Sequence, residues 1–468
     1  MSLASRAVAL GSNLAYVAVT ARHFSIQDVA VIAIIGILAM LMDIGKGLGL
    51  GTYLLKHLPK LPLQGDPRAA SLVFTYLVYS GTIPAVLALL SIAAAGPLSQ
   101  YFLGSPESEP LLRLGLLMAL LTVLTNTNIL VLQARQEFGM LATQTILGSL
   151  FQRLFPVLPA FWLGMDLKAF LVWSCGLAAA GFLASCVPLA GRTAGARLLA
   201  PAEFWPESRH FYCTALLRFG STQLDQIIVA VMFSPATLAV YYMLRRLYSV
   251  AVLLISSVID ALVPDLSKQA GLDAVAARGR MQKWVRGAIV AGSAGGALMA
   301  GNGRILVHLV LGEGYAEDSF LIVLFSLAAF SYLLFALGQV DLVLFHAPKR
   351  SLRLALVAAL LNTALGPLLA HLAGLRGLPL AMSISYLLGL ELVRRANRYP
   401  SWNQAWNQAR LWTGIGAIFL AGLLAAAAPM VAGPWVQTIS VNALILLACC
   451  IWFYRHWDRV LLTFRKPA

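Results

Sequence analysis

The chain has 468 residues, of which 60% are hydrophobic and only 11% charged, where a soluble domain carries about a quarter charged residues. Its polar stretches are too short to coat a separate globular core, so a soluble fold is excluded and a polytopic membrane protein is indicated. The formal net charge of +15, from 34 Lys+Arg against 19 Asp+Glu, would suit nucleic acid or anionic lipid unless membrane orientation accounts for it.

Apolar windows bounded by Pro, Gly and charge predict helices near 3–21, 28–55, 69–95, 110–132, 141–163 and 168–190. A polar, basic connection, 191–208, follows, and then helices near 209–233, 237–264, 284–311, 316–345, 351–370 and 374–393. After a basic linker from Arg394 to Arg410, two more are predicted near 411–431 and 434–454, ending in a basic tail. The expected fold is therefore all-α, with about 14 transmembrane helices at roughly 21 residues each. The expected division is an N-terminal lobe, 1–190; a cytoplasmic linker, 191–208; a C-terminal lobe, 209–393; and a final segment, 394–468.

The distribution of charge tests this count, because a miscounted helix would scramble the alternation. With the N-terminus inside, 23 Lys or Arg residues fall on inside connections and only Arg22, Arg113, Lys168, Arg304 and Arg376 fall outside. Orientation thus absorbs most of the basic excess. No nucleic-acid partner is called for, and both termini are expected in the cytoplasm.

Helix 1 reads as a span rather than a cleaved leader, although Val19-Thr20-Ala21 offers small residues for cleavage. Its apolar run is interrupted by Gly11-Ser12-Asn13, and an offset of 209 residues matches Gly11-Ser12 to Gly220-Ser221, Phe24-Ser25 to Phe233-Ser234 and Ala30-Val31 to Ala239-Val240. Helices 1 and 2 therefore resemble helices 7 and 8. A repeat of an even number of helices returns to the same side, giving two parallel six-helix lobes about an axis along the membrane normal.

Six basic residues lie inside helices: Arg6, Lys46, Arg153, Arg218, Arg245 and Arg246. Each costs about 2.5–3.5 kcal/mol at mid-helix on insertion scales, which suggests a use. Arg218, nine residues into helix 7, lies about 14 Å deep at a rise of 1.5 Å per residue. Guanidinium forks at that depth suit the oxygens of a buried phosphate; snorkelling or pairing with a neighbouring acid is the plainer reading. Asp43 lies three residues before Lys46 and Asp225 seven after Arg218, so each acid shares a face with its base and would form an ion pair. The alternative is that Asp225, with Ser221 or Thr222 below it and Asn362-Thr363 from another helix, handles a coupling H⁺ or Na⁺.

Thr122, Thr125, Asn126, Thr127 and Asn128 on helix 4, and Thr143, Gln144, Thr145 and Gln152 on helix 5, would line a wet cavity for sugar hydroxyls or bond helix to helix. Gly45-Lys46-Gly47 lacks the upstream glycine of a phosphate loop and lies in a membrane helix; the glycines from Gly45 to Gly51 instead permit bending or close packing. The five cysteines show no CxxC pair and the seven histidines are scattered. No metal centre, cofactor or catalytic constellation is visible, so the chain is not expected to be an enzyme.

Three segments carry a family resemblance: FSPATLAVYYMLRRL from Phe233 to Leu247, LQARQEFG from Leu132 to Gly139, and LVPDLS from Leu262 to Ser267. With the two-lobe organisation, they resemble the polysaccharide transporter family of the multidrug/oligosaccharidyl-lipid/polysaccharide exporter superfamily, which contains the O-antigen and exopolysaccharide flippases. The resemblance implies an inner-membrane flippase that moves a polyprenyl-diphosphate-linked oligosaccharide outward by alternating access, for cell-surface polysaccharide biosynthesis. Membrane lipids and other polysaccharide-assembly proteins would be its partners. It also implies a cationic cavity, for which Arg6, Lys46 and Arg245 or Arg246 are the nearest candidates, and a coupling cation between helices 7, 11 and 12, which points to Asp225 and Asn362. The position one turn after Asn362 is Gly366 rather than an acid, a departure from that pattern. A multidrug or metabolite exporter of the same superfamily, disfavoured by the two extra helices and the basic interior, and a membrane glycosyltransferase or polymerase are the alternatives.

Overall fold

A computed structural model describes residues 3–61, 66–190, 193, 195–345 and 348–396. The two predicted terminal helices, the basic tail and most of the basic linker lie outside the described residues. Every regular element among those described is helical. In chain order the α-helices are α1 (Leu3–His23), α2 (Ile26–Gly45), α3 (Leu50–His57), α4 (Pro67–Ala93), α5 (Ala95–Leu103), α6 (Glu109–Ala134), α7 (Phe138–Ser149), α8 (Phe155–Leu163) and α9 (Leu167–Cys186). They continue as α10 (Pro201–Thr222), α11 (Leu224–Met232), α12 (Pro235–Leu272), α13 (Ala274–Gly301), α14 (Gly303–Val310), α15 (Phe320–Phe345), α16 (Pro348–Ala373) and α17 (Gly377–Ala396). Eight stretches are long and apolar enough to cross a membrane, the last spanning both α16 and α17. Side chains such as Leu89, Trp162, Leu163, Leu183 and Leu372 remain largely exposed, as spans surrounded by lipid require.

Local chemistry starts and stops these helices. Ser25 and Asp28 form a reciprocal capping box on α2, and Asp66, Asp166 and Asp273 accept from the first free N–H groups of α4, α9 and α13. The predicted connection over 191–208 is shorter than expected, because α10 already begins at Pro201. Proline is suited to a first helical turn, and Glu203 accepts from the Ala200 N–H at 3.0 Å while pairing with Arg197 at 3.2 Å.

Four predicted single helices are interrupted, helix 9 among them at Asn302, between α13 and α14. Between α2 and α3, Gly47, Leu48 and Gly49 take φ values of +68°, +45° and +81°, a left-handed run that glycine makes accessible. A Cβ at Gly49 would lie 2.2 Å from the Ser208 carbonyl oxygen, so the same glycine also admits the backbone of α10. Bending and close packing therefore occur together there. Predicted helix 5 widens into a π-turn at Leu150–Leu154, where Pro156 and Pro159 remove ladder donors downstream. Predicted helix 7 breaks at Gln223, between α10 and α11.

The chain forms two compact units: Met1–Phe219 with Gln226–Met243, and Gly220–Asp225 with the chain from Leu244 onward. In the first, Leu50 and Leu54 of α3 pack with Leu72, Val73 and Tyr76 of α4 and with Val131 and Leu132 of α6. α2 is buried continuously from Val29 to Ile35, and Gly115 of α6 lets it approach so closely that a Cβ there would lie 2.0 Å from Ile35 Cδ1. In the second, Met281, Val285 and Ile289 of α13 pack against Val323, Phe330, Leu333 and Leu337 of α15 and Leu390 of α17.

Candidate functional site

Four of the six helix-embedded basic residues belong to the first unit. Arg6 lies on α1, and its side chain is outside the described residues. Lys46 stands at the start of the glycine break and pairs with Asp43 at 2.5 Å, Lys46 being one-fifth and Asp43 one-half exposed. This is the ion pair its spacing predicts. Arg153 sits in the π-turn, where its guanidinium reaches the Ala9 carbonyl of α1 at 3.4 Å. Arg218 is exposed on α10.

The polar residues on α6 and α7 bond largely within or between helices. Thr122, Thr125 and Thr127 return their hydroxyls to carbonyls four residues back. Asn128 donates to the Ser185 hydroxyl at 2.8 Å, and Gln144 to the Ala184 carbonyl at 3.2 Å, both on α9.

The most concentrated polar site lies in the second unit, at the break between α10 and α11. Gly220-Ser-Thr-Gln223 is a weak helical sequence. The carbonyls of the last turn of a helix lose their intrahelical donors and must be satisfied otherwise. Asn362 of α16 donates from its amide to the Gly220 carbonyl at 3.1 Å and the Ser221 carbonyl at 3.4 Å. Tyr386 of α17 donates its hydroxyl to the Ser221 carbonyl at 2.8 Å, and Arg245 of α12 donates to the Thr222 carbonyl.

Asp225 occupies the first turn of α11, where the helix dipole favours an anion. Its carboxylate accepts from Arg245 Nε at 2.8 Å, with side-chain exposures of 1% for Asp225 and 5% for Arg245. The guanidinium also donates to the Ser249 hydroxyl at 3.3 Å and lies 4.4 Å from the centre of the Tyr248 ring. Thus two hydrogen-bond acceptors, a carboxylate and an aromatic face surround one buried positive group.

Asp225 pairs with Arg245 of α12, a partner that spacing within one helix did not indicate, and the helix that carries residues 218 and 225 breaks between them at Gln223. The structure does bring Asn362 to this site, but onto carbonyls of the break. Thr363 bonds the Ala359 carbonyl of its own helix at 2.8 Å and does not join. Arg246 is half-buried and, next along α12, points about 100° away around the helix. Tyr248 and Tyr386 escaped the sequence reading because they carry no charge. Their signal was a phenol within an apolar helix, which must find a polar partner when buried.

A second charged cluster lies in the first unit, at the start of α10 ahead of its apolar part. Glu207 bonds Lys56, and His57 Nε2 at 2.9 Å, tying the end of α3 to α10. The Lys56 hydrogen bond, with a smaller part from His57, holds the Glu207 carboxyl below its ordinary range. Tyr53 stacks on the His57 ring at a centroid distance of 4.3 Å.

Among the described residues, no three His, Cys, Asp or Glu side chains are grouped so as to hold a metal ion.

Comparison with known proteins bears on the fold. No curated protein matches the sequence. A solved structure of the lipid II flippase MurJ in an inward-closed conformation is similar, with a TM-score of 0.66 at 12% identity, over 97% of this chain and 98% of that one. An inward-facing multidrug resistance MATE family transporter of the MOP superfamily gives a TM-score of 0.64 at 13% identity, over 85% of this chain and 95% of that one. An outward-facing structure of a MATE family transporter gives 0.55 at 13% identity, over 89% and 96%. The helical architecture is the one these proteins share. A family model described as polysaccharide biosynthesis protein matches residues 19–319, more than half of the chain, so this multi-pass membrane protein belongs to that family.

Proposed function

We propose that the protein is a transporter that flips a polyprenyl-diphosphate-linked oligosaccharide from the cytoplasmic to the outer leaflet of the inner membrane by alternating access. The observation that carries this reading is membership in a polysaccharide biosynthesis family by a chain with six basic residues inside its predicted helices. A diphosphate-sugar head needs positive charge at depth, and guanidinium groups provide it without losing their protons. The likeness to MurJ and MATE structures supports a carrier architecture. In this reading the two six-helix lobes rock against each other and both termini face the cytoplasm.

Arg218 is the first substrate-binding candidate, being exposed on α10. Arg153, Lys46, Arg6, Arg246 and Arg245 are further candidates, Lys46 being paired with Asp43 and Arg245 with Asp225. The test uses purified protein in liposomes containing a fluorescent polyprenyl-diphosphate oligosaccharide and records how fast the sugar becomes accessible in the opposite leaflet. Wild-type protein should accelerate transfer, and Arg218→Ala should slow it roughly ten- to a hundredfold, as expected for losing one charge-assisted hydrogen bond. Efflux of a soluble cation, with no glycan transfer, would instead favour a multidrug exporter.

A further inference from the structure

The break between α10 and α11 has the parts with which discontinuous membrane helices hold ions: a run of helix-end carbonyls, a following helix N-terminus and a buried carboxylate. Such a carboxylate requires a counter-charge, since an unpaired ion in a dry interior is strongly destabilising. Here the counter-charge is part of the protein. The Arg245 guanidinium contacts Asp225 Oδ2 and the Thr222 carbonyl together, in a pocket completed by Ser249 and Tyr248. The neighbouring carbonyls of Gly220 and Ser221 accept from Asn362 and Tyr386. Asp225 Oδ2 and the carbonyl oxygens of residues 220–222, which would coordinate an alkali cation, therefore face N–H and O–H donors.

We propose that Arg245 is the resident, tethered cation of this helix break. The position takes no exchangeable alkali cation in the wild-type protein, and removing the guanidinium while keeping Asp225 and the carbonyls turns it into a monovalent-cation site selective for a small hard ion such as Na⁺. This replaces exchange of Na⁺ or H⁺ at Asp225, the alternative raised from the sequence, with a fixed charge carried by α12. The proposal does not depend on which substrate is carried.

The test is thermal unfolding of the purified full-length protein in detergent, in NaCl and in choline chloride at equal ionic strength. The wild-type midpoint should be the same in both salts. Arg245→Ala should unfold at lower temperature in choline and be raised by NaCl in a concentration-dependent way, and the double variant Asp225→Asn/Arg245→Ala should lose that response. Arg245→Lys, which keeps a tethered charge, should be indifferent to the salt and gives a second reading if Arg245→Ala does not fold. A wild-type midpoint that rises with Na⁺ and stops doing so in Asp225→Asn would overturn the proposal. An Arg245→Ala protein with equal midpoints in the two salts, or an Arg245→Lys protein that responds to Na⁺, would do the same.

Discussion

Asn362 and Tyr386 show how single side chains stabilise a helix end inside an apolar protein. Both donate to the Ser221 carbonyl, and Asn362 alone reaches Gly220. Asn362→Leu should therefore lower stability by about 1–3 kcal/mol, the cost of an unsatisfied buried acceptor, and Tyr386→Phe by less because Asn362 still serves Ser221. Thermal unfolding midpoints of the two variants measure the ordering, and equal losses would contradict it. The residue scale is also where sequence reading fell short. Asp43 with Lys46 was legible because three residues on one intact turn meet. Asp225 with Arg245 was not, because the partners are brought together by packing between helices rather than by spacing within one.

At the scale of elements, glycines mark where helices approach or break. Gly115→Ala would place a methyl against Ile35 at 2.0 Å, so α2 and α6 must separate and stability should fall by about 1–3 kcal/mol. Gly115→Ala/Ile35→Val should recover part of that loss in the same unfolding measurement. The link from α3 to α10 responds to pH in a defined direction. Because the folded-state pKa of Glu207 lies below its ordinary value of 4.5, its contribution to stability is fully present above that value. It is lost as pH falls through the lower folded pKa, when the carboxylate bonded to Lys56 takes up a proton. The difference in unfolding midpoint between wild type and Glu207→Gln should accordingly stay constant from neutral pH to about 5 and close under more acidic conditions. The alternating glycines from Gly45 to Gly51 signalled a bend, but not that Leu48 would share the left-handed φ of Gly47 and Gly49, nor that Gly47 would lie against Ser80 of α4 and Gly49 against the backbone of α10.

At the scale of the whole molecule, the excess of basic residues on alternate connections predicts orientation. Single cysteines placed at Arg68 and at Glu107 in a protein lacking its native cysteines should label from opposite sides of the membrane with an impermeant maleimide, Glu107 from outside. Labelling of both from one side would refute the alternation. The sequence by itself determined the all-helical membrane class and the approximate position of most described helices, though not of α5 (Ala95–Leu103), because apolar length and charge alternation are properties of the chain read locally against a bilayer. It also determined which residues are costly to bury and so deserve a role, Arg218, Asp225 and Arg245 among them. Only the tertiary structure decided where helices break, which atoms cap the broken end at residues 220–222, and that Asp225 is neutralised by α12. Those outcomes depend on side chains from α12, α16 and α17 converging on one helix terminus. Contacts separated by up to 165 residues in the chain, as between Tyr386 and Ser221, leave no periodic trace in the sequence that encodes them.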